Sequence, residues 1–74
     1  MNRDIRNVLT SFEELGYTIF DGYIHIEIKG NHKEVIINKM TLGVFVKVPN
    51  ITIKESLLIS DLLDITNRIK KDKR

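Results

Sequence analysis

The chain has 74 residues, no cysteine and a formal charge of +2 from twelve basic and ten acidic side chains. A chain of this length makes one domain and buries only about 60% of its unfolded surface, so a roomy internal pocket is not expected, and without thiols there is neither a disulfide framework nor a thiolate metal site. The charge is too small to signal nucleic acid by itself, no run approaches the ~18 apolar residues of a membrane span, and Met1-Asn2-Arg3-Asp4 does not open a signal-peptide core, so a cytoplasmic protein is expected.

From Asp4 to Leu15 the apolar residues Ile5, Val8, Leu9, Phe12 and Leu15 recur at three-and-four spacing and gather on one helix face. The spacing predicts a helix over about 3–15, with Asn2 as its N-cap and Gly16 as the left-handed residue that ends it.

Two apolar-rich runs then flank Asp21-Gly22, a pair suited to a two-residue hairpin turn. Such a turn sets Phe20 opposite Tyr23, Ile19 opposite Ile24, Thr18 opposite His25 and Tyr17 opposite Ile26. A second turn at Gly30-Asn31-His32-Lys33 sets Lys29 opposite Glu34, Ile28 opposite Val35 and Ile26 opposite Ile37. A tight turn at Met40-Thr41 sets Ile37 opposite Val44, Val35 opposite Val46 and Ile36 opposite Phe45.

The predicted strands, about 17–20, 23–29, 34–39 and 42–48, place Tyr17, Ile19, Ile24, Ile26, Ile28, Val35, Ile37, Val44, Val46 and Val48 on one face. A one-residue slip anywhere would scatter that set, so the agreement among the turns supports the register.

Pro49 stops the last strand, and Thr52-Ile53-Lys54-Glu55 has the form of a capping box. A helix over about 53–71 follows, with Leu58, Ile59, Leu62, Leu63, Ile65 and Ile69 as its apolar stripe. Lys54, Asp61, Asp64, Arg68 and Lys71 lie opposite, and Leu57 points with them.

The expected architecture is therefore α+β: a two-layer α-β-β-β-β-α domain, a four-stranded antiparallel meander with its N- and C-terminal helices on one face. In order of elements alone, the part from Tyr17 onward resembles the small single-stranded-DNA-binding domains of the transcriptional positive-cofactor type; the N-terminal helix departs from that pattern.

The other sheet face carries Phe20, Tyr23, His25, Ile36 and Phe45 among polar residues, and a contiguous apolar patch on a small domain marks a place where something binds. These five are the candidate protein-binding residues. His25 and His32 have no positioned carboxylate or cysteine to complete a metal set, and Ser11, Ser56 and Ser60 sit in no nucleophile elbow. No catalytic residue, metal site, cofactor or small-molecule substrate is expected.

The sequence thus points to a non-enzymatic interaction or regulatory protein, acting on a protein partner and forming a homodimer. Abundant isoleucine, lysine and asparagine with no alanine suggest an AT-rich coding sequence, as in a low-GC bacterium, phage or plasmid. The alternative is a nucleic-acid-binding accessory protein that uses the basic end, Arg68, Lys70, Lys71, Lys73 and Arg74, to contact phosphates.

Overall fold

A computed structural model describes residues 2–72 of the chain. Its order is α1 (Arg3–Glu14), β1 (Thr18–Asp21), β2 (His25–Gly30), β3 (Lys33–Asn38), β4 (Val44–Lys47) and α2 (Ile53–Asp72). The strands form one antiparallel sheet in the order β1-β2-β3-β4, so this is the α+β meander with terminal helices.

The helix ends follow their local chemistry. The Asn2 side chain accepts from the backbone N–H groups of Asp4 and Ile5, two of the donors that have no partner within the helix. At the other end Gly16 adopts φ 99°, its N–H donates to Glu13 and the Tyr17 N–H reaches back to Phe12, the paired closure of a Schellman motif. Phe12 and Tyr17 then meet edge to face with ring centroids 5.1 Å apart. That aromatic contact lies where the chain passes from helix into sheet.

The β2–β3 and β3–β4 registers are those expected, with Ile28 opposite Val35, Ile26 opposite Ile37, Ile36 opposite Phe45 and Val35 opposite Val46. The β1–β2 register is not. Thr18 pairs with Lys29, Ile19 with Ile28, Phe20 with Glu27 and Asp21 with Ile26, a slide of four residues along β2.

Asp21-Gly22 therefore forms no two-residue turn, and Gly22 does not take a positive φ. The Asp21 carboxylate instead pairs with Lys39 beyond β3, and the slide brings Ile19 onto Ile28 and Tyr17 level with Gly30. Because four is even, every β1 side chain keeps its expected face. Ile24 does not: it leaves the strand, is 52% exposed and drops out of the core.

The third turn is also wider than expected. The Asn38 side chain accepts from the N–H groups of Met40 and Thr41, Leu42 takes φ 60°, and residues 39–42 loop out while Gly43 closes back on Asn38. Asn38 thus supplies the turn chemistry that Met40-Thr41 lacks.

The core lies between the sheet and the two helices. Ile5, Val8, Leu9 and Phe12 of α1, Ile26, Ile28, Val35 and Ile37 of the sheet, and Ile59, Leu62 and Ile65 of α2 are all buried. Asn2 and Ile5 share one groove with Ile69, Val8 another with Ile65, and Leu15 another with Leu58, so the helices run antiparallel, side by side. Cover is incomplete: Val46 on β4, at the far edge of the sheet, is 39% exposed, and Leu63 of α2 is 41% exposed. No described helix is long and apolar enough to cross a membrane.

Candidate functional site

The outer sheet face is built from the residues of alternate parity, and the registers arrange them in rows. One row runs Phe20, Glu27, Ile36, Phe45 across all four strands. With strands about 4.8 Å apart it spans roughly 14 Å. Phe20 is 52% and Phe45 56% exposed, while Ile36 between them is half-buried.

The neighbouring rows are polar. Thr18, Lys29, Glu34 and Lys47 lie on one side, and His25 and Asn38 on the other. Lys29 pairs with Glu27 along its own strand, Nζ to Oε1 at 3.3 Å, which draws that carboxylate toward the cationic row. His25, Ile36, Asn38, Gly43 and Phe45 line a shallow depression of about 340 Å³.

Of the five expected binding residues, Phe20, Ile36 and Phe45 fall in one row and His25 beside it. Tyr23 does not join them as a strand residue: it sits in the β1–β2 connection and is 97% exposed. The register slide removes it from the face on which the two-residue turn would have set it.

The basic end is less concentrated than its sequence. Arg68 lines a groove with Asp4, Asp61 and Asp64, so its cation shares that surface with three carboxylates. Lys70 and Lys71 occupy the last turn of α2, where cations complement the helix dipole. Lys73 and Arg74 lie outside the described residues. The two histidines stand at opposite ends of β2, His25 at its start and His32 in the turn beyond it at φ 58°.

A polar cluster on the helix-facing side escaped the sequence reading. Glu55 is 3% exposed, and both its oxygens are engaged. Oε1 accepts from the Thr52 N–H while the Thr52 hydroxyl accepts from the Glu55 N–H, the reciprocal bonds of the expected capping box. Oε2 accepts from the Tyr17 hydroxyl and from Lys33 Nζ at 2.8 Å.

These donors, led by Lys33, hold the Glu55 carboxyl down at about 2 despite burial, which opposes ionisation. Burial, followed by the Glu55 bond and charge, pushes the Tyr17 hydroxyl well above its ordinary value. A signal was available: Lys33 has the strand parity of Val35 and Ile37, so its stem lies on the core face, where a carboxylate partner for its half-buried cation is favoured.

No protein-family model, no curated protein and no solved structure matches the chain.

Proposed function

We propose that this chain is a small, non-enzymatic regulatory protein that works by occupying a surface of a protein partner, and that it does so as a homodimer. The observation that carries this reading is that Phe20, Ile36 and Phe45 share one row of an otherwise polar sheet face, with both phenylalanines more than half exposed and Glu27 between Phe20 and Ile36. Aromatic side chains concentrate at the centres of protein interfaces, and a polar surround of Lys29, Glu34, Lys47, His25 and Asn38 has the composition of an interface rim.

A single nucleic-acid strand would use aromatic platforms inside a cationic groove. Here Glu27 stands within the aromatic row and Glu34 within the lysine row. The three acidic residues that share the Arg68 groove likewise weaken the case for phosphate contact by α2.

The test is capture of partners from the native host by tagged wild-type chain and by the double variant Phe20→Ser/Phe45→Ser, at low and high salt. A partner protein held at high salt by the wild type and lost by the folded double variant supports the reading. Oligonucleotide binding that falls steeply with salt, persists in the double variant and disappears in Lys70→Ala/Lys71→Ala would replace it with the nucleic-acid reading.

A further inference from the structure

We propose that the free edge of β4 pairs antiparallel with β4 of a second copy, joining two four-stranded sheets into one. This fixes how the dimer forms and does not depend on the Phe20–Phe45 row being the partner site.

The backbone decides the register. The Asn38 N–H donates to the Gly43 carbonyl, so Gly43 bonds inward to β3, and by alternation Phe45 and Lys47 do the same. The outward N–H and C=O groups of β4 then belong to Val44 and Val46. Two copies of β4 satisfy all of these when Val44 of each lies opposite Val46 of the other, forming four hydrogen bonds about a two-fold axis through the Phe45 pair.

The side chains accept that register. Phe45 meets Phe45 of the second copy on the outer face, and Val44 meets Val46 on the core face. The strand's only charge, Lys47, falls opposite Gly43, so no like charges oppose each other. On the core side the joined strands give Val46, about two-fifths exposed in one copy, an apolar neighbour in Val44 of the other.

The opposite edge is unsuited to the same pairing. Gly22 donates inward to His25, so the outward groups of β1 belong to Ile19 and Asp21, and the equivalent register would set the Asp21 carboxylate against an apolar Ile19 on the core face. Charges placed this way protect a strand edge from pairing. β4 carries no such guard on its core face.

Joining the edges also places the two outer rows end to end, Phe20 to Phe45 and then Phe45 to Phe20. The row doubles in length, with the two Phe45 rings at its centre.

Sedimentation equilibrium of the wild type, Val46→Pro and Phe20→Ser tests the proposal. Proline at Val46 removes an N–H that is free in one copy but bonded in the pair. The expected result is a dimer at micromolar concentration for the wild type and Phe20→Ser, and a folded monomer for Val46→Pro. In the wild type, amide exchange at Val44 and Val46 should slow as concentration rises, a readout that holds even if Val46→Pro misfolds. A wild type that stays monomeric, a folded Val46→Pro that stays dimeric, or exchange at Val44 and Val46 independent of concentration would each overturn it.

Discussion

The Tyr17 hydroxyl donates to Glu55 across 38 positions of sequence, at 2.5 Å, and joins the turn that ends α1 to the cap that starts α2. Lys33 completes the link from the sheet with an ion pair to the same carboxylate oxygen. Glu55 is therefore at once a helix cap and the tie among three elements, which accounts for a carboxylate 3% exposed in so small a domain.

This tie makes stability depend on pH at both extremes. The Glu55 carboxyl is lowered from 4.5 to about 2 on folding, so between those values the unfolded chain binds the extra proton. The contribution is present above the unfolded value and is lost as pH falls through the folded one. Tyr17 shifts upward, so its contribution is complete below its ordinary value of 10.0 and fades as pH rises beyond it. Glu55→Gln should flatten the acid limb of a denaturation-midpoint profile between pH 2 and 4.5 and leave the alkaline limb partly in place.

Removing either donor should be costly but not additive. Tyr17→Phe and Lys33→Met are each expected to lose about 1–3 kcal/mol, because each leaves Glu55 short of a partner in a buried position. Urea unfolding of both singles and the double should give a coupling energy clearly different from zero. Strict additivity would mean that the two donors do not share one carboxylate.

Gly30 should resist substitution for a steric reason. A Cβ there would stand 3.1 Å from the Tyr17 ring, which lies over the glycine. Gly30→Ala should lose about 1–3 kcal/mol as the ring is displaced, and Tyr17→Leu should relieve much of that loss in a double-variant cycle.

Inside and outside should separate sharply in a truncation series. Ile26→Ala and Leu62→Ala remove side chains 4% and 0% exposed and should each cost about 2–5 kcal/mol, enough to unfold much of the population. Tyr23→Ala, at 97% exposure, should be near neutral by chemical denaturation.

Deleting residues 70–74 should leave the circular dichroism and melting curve little changed, since Ile69 is the last α2 residue packed against the core. If the sheet face is the binding surface, calorimetric affinity for the captured partner should also persist. Loss of that affinity in a folded truncation would move the function to the basic end.

Local chemistry was legible wherever a few adjacent residues decide the outcome. Asn2, Gly16 and the Thr52/Glu55 box mark the helix ends, the three-and-four spacing marks the buried faces, and strand parity marks the faces of the sheet, because each depends on backbone geometry within one element. Parity also put Phe20, Ile36 and Phe45 on one face, so the candidate surface was largely readable.

What only the tertiary structure decided was which distant partners win. Asp21-Gly22 has the local form of a tight turn, yet β1 is slid by four residues, with Asp21 paired to Lys39, Tyr17 seated over Gly30, and Tyr23 and Ile24 outside the strands. Parity permits any even slide, so periodicity could not choose among them; long-range contacts could. The same holds for Glu55: its cap is written in four consecutive residues, but its bonds to Tyr17 and Lys33 exist only because the fold brings three separate elements to one point.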